Sequence, residues 1–193
     1  MLTINDLKNG SLMMIEGDPY VVMSVLHQHI GRGGSNVQTR IKNLRTGRVF
    51  ERSFKPADQF KEAEIEKMTS RFLYKNRGEA WFDEVGNPKN RFSLKEESLG
   101  ESVIFLKPNM EVTAIKLMSD ETGEILNVEL PIKAEYKVTE APPAIKGNTA
   151  QGGTKIVTIE GGATVNAPLF INQDDVIRVN TQTGEYVERV EKA

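Results

Sequence analysis

Hydrophobic and polar residues alternate through most of this chain, which is the pattern of a β strand with one buried face. Short runs rich in β-branched and aromatic residues recur about every 8–12 residues, as they do in small barrels and sandwiches. The clearest runs are residues 20–26, 37–41, 49–54, 72–74, 112–118, 156–159 and 176–179. Turn signals that contain glycine separate them, at residues 16–19, 45–47, 76–78, 121–123, 160–162 and 182–184. The pattern predicts an all-β protein.

Helical signals are few. Residues 93–96, Ser-Leu-Lys-Glu, have the spacing of a capping box, in which Ser93 caps a short helix that ends near Leu99. Residues 57–67 are charged and weakly helical, and we interpret them as the connection that leaves the first domain.

One of the predicted turns has an unusual composition. Residues 30–36 read Ile-Gly-Arg-Gly-Gly-Ser-Asn between two predicted strands, which predicts a hairpin with Arg32 at its tip. Gly31 and Gly33 allow the positive φ angles of a tight tip and keep bulk away from whatever the tip enters. The guanidinium of Arg32 is a rigid fork of donors that stays charged at any biological pH. Many such tips are only solvated turns, so the hypothesis that Arg32 probes an anionic target such as RNA depends on its surroundings.

Those surroundings are basic. Residues 25–55 contain seven cations and a single acid, Glu51, although the formal net charge of the whole chain is −2. The cations are Arg32, Arg40, Lys42, Arg45, Arg48, Arg52 and Lys55. A local positive zone in a mildly acidic protein is the electrostatic footprint of nucleic-acid binding. It predicts RNA-phosphate contacts by Arg40, Lys42, Arg45 and Arg48.

Length and composition favour several small domains over one large core, because the 193 residues are only 38% hydrophobic. We predict three domains: residues 1–64, 65–128 and 129–193. The first has nine Lys and Arg against seven Asp and Glu, whereas acids outnumber bases in the other two. The chain has no cysteine, no apolar run long enough for a transmembrane helix and no signal-peptide pattern, so a cytoplasmic protein without membrane contact is expected.

Catalytic chemistry has little support. His27 and His29 share one face of a predicted strand, but no third ligand is nearby, so no metal site is predicted. No serine has the partners of a catalytic triad. The glycine-rich tip lacks the Gly-Lys-Ser/Thr of a phosphate-binding loop, and a strand follows it where a helix is needed. We expect no cofactor and no enzymatic activity.

A second glycine-rich segment lies near the start of the last predicted domain. Pro142 and Pro143 are stiff and extended, and a polar loop through Lys155 follows them. This loop is either a flexible surface connector or a contact for a nucleic-acid backbone or base edges. The residues assigned to the contact are Lys146, Gly147, Asn148, Thr149, Gly152 and Gly153.

These motifs together carry a family resemblance. After the Gly-Arg-Gly tip come Lys-Gly-Asn-Thr-Ala at 146–150, Gly-Gly-Ala-Thr-Val-Asn-Ala-Pro-Leu-Phe-Ile at 161–171 and Gly-Glu-Tyr-Val-Glu-Arg-Val at 184–190. Over essentially its whole length the chain resembles bacterial translation elongation factor P. The resemblance implies an SH3-like (KOW-type) barrel followed by two OB-fold barrels, arranged in an L about the size of a transfer RNA.

The resemblance also implies a function. Members of this family bind the ribosome between the peptidyl and exit sites, contacting ribosomal RNA of both subunits and the peptidyl-site tRNA. They extend the tip of the first domain toward the peptidyl transferase centre and promote peptide bonds between consecutive prolines. The effect is positional and entropic, with no acid or base supplied by the factor. A monomer is expected.

Carried over residue by residue, Arg32 occupies the tip position of the family. Many members have a modified lysine there, which Arg32 excludes, and others have a rhamnosylated arginine in a Ser-Gly-Arg-Asn context. Here the context is Ile-Gly-Arg-Gly, so two states stay open: Arg32 modified by an arginine rhamnosyltransferase, or Arg32 unmodified. Residues 147–153 match the loop that approaches the exit-site codon. Tyr186 and Arg189 match a terminal Tyr-x-x-Arg pair that faces RNA.

Two other interpretations stay open. A bacterial paralogue has the same three domains and tends to carry an arginine tip. An oligonucleotide-binding module of OB folds, unrelated to the ribosome, is the alternative from another class. Only 7% of residues are aromatic, with one tryptophan, and no strand is rich in aromatics on which single-stranded bases stack.

Overall fold

The computed structural model of this chain describes residues 1–29, 35–118, 123–143 and 153–193. These residues form three β sheets, one short α-helix and one 3-10 helix, so the prediction of an all-β protein is confirmed. Neither helix in these ranges has the length and apolar character needed to span a bilayer.

The first sheet has six strands in the order β1-β6-β2-β3-β4-β5. They are β1 (Leu2–Thr3), β2 (Leu12–Ile15), β3 (Asp18–His29), β4 (Ser35–Asn43), β5 (Val49–Phe54) and β6 (Gln59–Glu62). Alternate residues of these strands point to one core, which contains Met13, Val22, Val37 and Ile41, each at most 1% exposed. The predicted strands at 20–26, 37–41 and 49–54 all belong to this sheet.

The expectation of weak helix in residues 57–67 is wrong, because this segment contains β6 and the start of the next strand and has no helix. Phe60 is the reason. Its backbone pairs with Leu2 on β1, its side chain is buried, and its ring meets that of Phe54 edge-on with 4.7 Å between centroids. Burying this one aromatic residue outweighs the weak helical propensity of its charged neighbours.

The other two sheets have five strands each and share one strand order. The second contains β7 (Ile65–Asn76), β8 (Glu79–Glu84), β9 (Asn87–Lys95), β10 (Glu111–Leu117) and β11 (Glu124–Glu129), in the order β11-β10-β7-β8-β9. The third contains β12 (Lys133–Glu140), β13 (Thr154–Ile159), β14 (Thr164–Pro168), β15 (Val176–Asn180) and β16 (Tyr186–Glu191), in the order β14-β13-β12-β15-β16. In both sheets the first strand is central and the fourth pairs with it, which is the Greek-key order of an OB-like fold.

The single α-helix, α1 (Glu96–Leu99), connects the third and fourth strands of the second sheet, and a 3-10 helix, Gly100–Phe105, follows it. A short helix at this place was predicted, but the predicted cap is wrong. Strand β9 continues through Lys95, which is the N-cap and makes no side-chain capping bond, so Ser93 stays in the strand.

The chain divides into two compact units. The first comprises residues 1–69, 94–100 and 113–129, and the second comprises residues 70–93, 101–112 and 130–193. Within the first unit, Leu44 and Ala63 pack against Ile115, Leu117 and Leu126 in a second small core. The division into three domains at 64/65 and 128/129 stays a prediction.

Within the second unit, the largest fully buried side chain is Tyr136 on β12. Its hydroxyl donates a 2.8 Å hydrogen bond to the carbonyl of Phe105, so the polar end of the ring is satisfied inside an apolar core. Burial raises the pKa of the Tyr136 phenol. This ring therefore ties the third sheet to the 3-10 helix.

Candidate nucleic-acid interface

The hairpin predicted around Arg32 is present as a long antiparallel ladder. Strands β3 and β4 pair in register from Tyr20 opposite Asn43 to His29 opposite Ser35, with one irregularity near Val22. Nine steps along β3 cover roughly 30 Å. The three tip residues, Gly31, Arg32 and Gly33, lie outside the described residues, and the ladder that leads to them is confirmed.

The base of this hairpin is held by a polar cluster. The buried side chain of Asn43 accepts hydrogen bonds from the backbone N–H groups of Arg45 and Thr46, both at 2.9 Å, and donates to a carboxylate oxygen of Asp18 at 3.2 Å. An asparagine that satisfies its own turn in this way fixes the turn geometry. The end of β4 is therefore tied to the start of β3.

Two of the predicted phosphate contacts lie on one face of β4. Val37, Thr39, Ile41 and Asn43 are buried, so the alternate residues Arg40 and Lys42 point outward, Arg40 exposed and Lys42 half-buried. Because residues two apart on a strand lie on the same face, these cations are close neighbours. The residue opposite Arg40 on β5 is Glu51, the one acid of the basic zone.

Arg45 is in a different situation, because its guanidinium is already engaged. Its Nε donates to Asp18 at 3.3 Å, and its two terminal nitrogens donate to the two carboxylate oxygens of Glu124 on β11, one of them at 3.1 Å. Hydrogen bonding to Glu124, opposed by partial desolvation, raises the pKa of Arg45. The same hydrogen bonding, again opposed by desolvation, lowers the pKa of Glu124. This bidentate pair is a contact inside the first unit.

The remaining cations of the basic zone also include some that pair with an acid and some that do not. Arg52 pairs with Glu16 at 3.2 Å and lies 5.8 Å from the ring centre of Phe54, so its charge is also compensated. Arg48 is exposed at the end of the β4–β5 turn. In the part of the chain that the structure describes, no ion pair engages Arg40, Lys42, Arg48 or Lys55. These four are the cations available to an anionic partner.

The second predicted contact region is described only in part. Lys146, Gly147, Asn148, Thr149 and Gly152 lie outside the described residues. Gly153 is half-buried and immediately precedes β13. Lys155 on β13 follows it, and its Nζ donates a 2.9 Å hydrogen bond to the carbonyl of Pro142, on the other side of the segment. The two ends of the loop are therefore joined by this bond.

The terminal Tyr-x-x-Arg pair lies on β16, with Tyr186 opposite Val179 and Arg189 opposite Ile177. Arg189 reaches Asp175 at 3.5 Å, and its guanidinium lies 5.0 Å from the ring centre of the exposed Phe170. Arg189 thus combines a structural ion pair with a stacked, half-buried guanidinium.

Asp175 itself is almost fully buried and accepts hydrogen bonds from the backbone N–H groups of Asn172 and Ala193, each at 2.9 Å. Burial raises the pKa of Asp175, but these two hydrogen bonds together with Arg189 outweigh burial, and the net effect lowers its pKa. No local sequence signal identifies the acids that engage the predicted cations. Asp175 is 14 positions from Arg189, and Glu124 is 79 positions from Arg45.

The fold defines the class of this protein: an all-β protein of three sheets, the first six-stranded with a long hairpin and the other two with OB-like strand order. Two family models match the same regions. The model described as the elongation factor P (EF-P) KOW-like domain matches residues 3–60, and the model described as elongation factor P, C-terminal, matches residues 134–189.

Full-length relatives agree with these matches. Elongation factor P of Moorella thermoacetica is 38% identical over 189 residues, covering 98% of this chain and 100% of that protein. Elongation factor P of Natranaerobius thermophilus is 36% identical over 190 residues, with 98% of each chain covered. A solved structure of eukaryotic translation initiation factor 5A from Methanococcus jannaschii aligns with a TM-score of 0.45 at 16% identity, covering 66% of this chain and 94% of that one. The chain belongs to the elongation factor P family and is a translation elongation factor.

Proposed function

We propose that this protein binds the ribosome between the peptidyl and exit sites and stimulates peptide bond formation where consecutive prolines slow it. The observation that carries the proposal is family membership over nearly the whole chain, combined with the long β3–β4 ladder that ends on either side of Arg32. A two-stranded projection with glycines around one arginine suits a narrow, anionic space.

The chemistry proposed for the tip is positional. Proline is a poor nucleophile in peptide bond formation because its ring restricts the approach of the amine, so holding the two substrates in attack geometry accelerates the step without any acid or base. In this proposal the guanidinium of Arg32 donates hydrogen bonds near the end of the peptidyl-site tRNA. Arg32 acts either unmodified or as its rhamnosylated form, which an intact-mass measurement on protein from the native host distinguishes.

Phosphate contacts along the hairpin anchor the factor in this proposal. Arg40, Lys42 and Arg48 face solvent without an ion-pair partner among the described residues, so they are available to neutralise tRNA or ribosomal RNA phosphates. Such contacts carry no sequence preference and weaken as salt rises. Arg45 was predicted with this group, but its guanidinium is bound to Asp18 and Glu124, so we assign it to anchoring the hairpin base.

The loop of residues 146–153 is proposed to orient the factor at the exit site through backbone donors and the side chains of Asn148 and Thr149. Tyr186 and Arg189 form a second, smaller part of this contact. The stacked arrangement of Arg189 over Phe170 presents a planar cation beside an exposed ring, which favours RNA as the partner.

The test is a reconstituted translation reaction on two messages that differ only in three codons, encoding consecutive prolines in one and alanines in the other. Adding the purified protein is expected to increase full-length product from the proline message and to leave the alanine message unchanged. Equal effects on both messages, or no effect on either, contradict the proposed function.

A further inference from the structure

An exposed pair of aromatic rings lies on the hairpin formed by β7 and β8, within the second unit. Tyr74 pairs in register with Trp81, and their rings stack with centroids 6.2 Å apart and planes inclined by 20°. Their neighbours Phe72 and Phe82 face the opposite side and are buried, so Tyr74 and Trp81 point outward. Tyr74 is 46% exposed, which is more than a ring that serves only to pack the sheet requires.

The turn of this hairpin displays an arginine at a backbone position that arginine does not favour. Asn76 pairs with Glu79, and the two residues between them, Arg77 and Gly78, have φ angles of +52° and +80°. This is a type I′ turn, whose first central position prefers asparagine, aspartate or glycine. Arg77 therefore occupies a left-handed conformation at a cost of about 1 kcal/mol. Glu16 has the same backbone in another turn but forms an ion pair with Arg52, whereas no ion pair or hydrogen bond engages Arg77 among the described residues.

Further cations surround the ring pair. On the next outward pair of the ladder, Arg71 binds Asp83 through two hydrogen bonds of 3.1 and 2.7 Å, so its charge is compensated. Arg91 on β9 is exposed, and after the hydrogen bonds from Arg71 its charge also lowers the pKa of Asp83. Lys75 pairs with the buried Ala80 and therefore belongs to the opposite face of the hairpin. Arg77 and Arg91 are thus cations without an ion pair in the described part of the chain, near the two stacked rings.

The distances match one nucleotide. Arg77 lies three residues beyond Tyr74, roughly 10 Å along the strand, a distance that an arginine side chain largely spans. A base stacked on the exposed face of Tyr74 would place its phosphate within reach of that guanidinium. Stacking on an aromatic platform beside a cation is how OB folds hold single-stranded nucleic acid, and the turn between the first two strands is one of the loops they use.

We propose that the outward face of the β7–β8 hairpin is a second RNA contact, on which an unpaired base stacks against Tyr74 and Trp81 while Arg77 binds its phosphate. An apolar protein partner would be served by the rings but not by Arg77 and Arg91, two exposed cations that no ion pair engages among the described residues. The proposal does not depend on proline stalling, because this face consists of other residues than the tip and is tested by binding alone.

The experiment uses the tryptophan of the site itself. Trp81 is the only tryptophan of the chain, so its fluorescence reports on this face without labelling. The full-length protein is titrated with an unstructured uridine oligonucleotide of about twelve nucleotides, within the site size of one OB fold. A blunt RNA duplex and heparin serve as control ligands, because they offer phosphates or sulfates without unpaired bases. We expect saturable quenching by the single strand and at least tenfold weaker responses to both controls.

Three variants separate the ring from the charge. Tyr74→Thr removes the ring, keeps β propensity and is expected to weaken oligonucleotide binding about tenfold. Tyr74→Phe keeps the ring and is the matched control, expected to bind within about twofold of wild type. Arg77→Asn places a favoured residue in the turn, so it should raise the thermal midpoint while weakening binding and lowering the salt slope by about one.

If Arg77 had only a structural role in the turn, Arg77→Asn would raise the thermal midpoint without weakening oligonucleotide binding. Unchanged oligonucleotide affinity in Tyr74→Thr and Arg77→Asn would overturn the proposal, as would equal quenching by the duplex. Loss of ribosome binding in Tyr74→Thr with oligonucleotide binding intact would also overturn it and would indicate a protein partner on this face. The proline-message assay uses the wild-type protein and is read independently of these variants, so the two proposals fail separately.

Discussion

Asp175 holds the C-terminal end of the third sheet together through a buried carboxylate. Both oxygens accept backbone hydrogen bonds, and Arg189 supplies the compensating charge. A predicted RNA contact, Arg189, therefore has a structural role as well, and its substitution affects stability and binding together. Asp175 offers a way to separate the two effects.

We predict that Asp175→Asn lowers the free energy of unfolding at pH 7 by about 1–3 kcal/mol, because an amide NH2 replaces one of the two oxygens, each of which accepts a backbone hydrogen bond. The folded-state pKa of Asp175 lies below its unfolded value. Its contribution is therefore complete above about pH 4 and declines as the pH falls through the folded-state pKa. Urea denaturation of both proteins from pH 7 down to the acid limit checks this. A difference that stays constant with pH would contradict it.

The basic residues of the first sheet differ in whether an acidic side chain already pairs with them. We predict that the double variant Arg40→Ala, Lys42→Ala reduces the slope of log ribosome affinity against log salt by up to about two, since both cations are free to meet phosphates. Arg45→Ala is the matched control, and its slope is expected to equal that of wild type because Glu124 and Asp18 already compensate its charge. Equal slope changes in both variants would mean that Arg45 exchanges its carboxylates for RNA.

At the scale of elements, the β3–β4 hairpin depends on its base. Asp18 and Asn43 connect the two strands, and Arg45 extends that cluster to Glu124 on β11, all within the first unit. These contacts fix the position of strands β3 and β4 at the base of the hairpin. The Arg45–Glu124 pair is the part of this anchor that is simplest to perturb.

For this pair we predict a small but measurable coupling. A double-mutant cycle with Arg45→Ala and Glu124→Ala is expected to give a coupling energy of up to about 1 kcal/mol, because both side chains are partly exposed and screened. Lys67 and Glu129 form another ion pair of the same unit at 3.3 Å and are the control cycle, expected to give less because a lysine cannot bind bidentately. A coupling of zero for Arg45 and Glu124 would show that this contact does not anchor the hairpin.

Strand β4 was predictable because it alternates clearly between buried and outward residues, and β3 and β5 because they are rich in β-branched and aromatic residues. The turn at Arg77 was also predictable, from its Asn-Arg-Gly sequence. Strand β6 was missed because its identity depends on a single residue, Phe60, meeting partners from distant strands. The stacked pair of Tyr74 and Trp81 was missed because an irregularity in register between Phe72 and Tyr74 brings them opposite each other. Neither local propensity nor composition contains that information.

Across the whole molecule, the second and third sheets share one strand order but differ in the length of their first connection. The first connection is the tight turn at Arg77 in one sheet, and in the other it is the long segment that includes residues 144–153. Short and long versions of one connection allow one fold to present a compact cation in one place and an extended set of donors in another. The long connection between β12 and β13 can be tested by substitution.

Replacing Gly152 and Gly153 with alanine is predicted to give a partial loss of proline-message activity with an unchanged thermal midpoint. A β-carbon at these positions keeps backbone donors from approaching RNA, whereas a mere connector tolerates it. Thr154→Ser, at the next residue, is the matched control. Full activity of the alanine variant would leave the loop as a linker and remove Gly152 and Gly153 from the contact.

We propose that Arg32 acts where the peptide bond forms, and single-turnover formation of a proline–proline bond on saturated ribosomes is the measurement that checks this. With wild-type protein the rate is expected to rise well above that of ribosomes alone. With Arg32→Ala, at equal ribosome occupancy and unchanged thermal stability, the rate should fall back to the rate without factor. A rate for Arg32→Ala equal to that of wild type would show that Arg32 does not act in peptide bond formation.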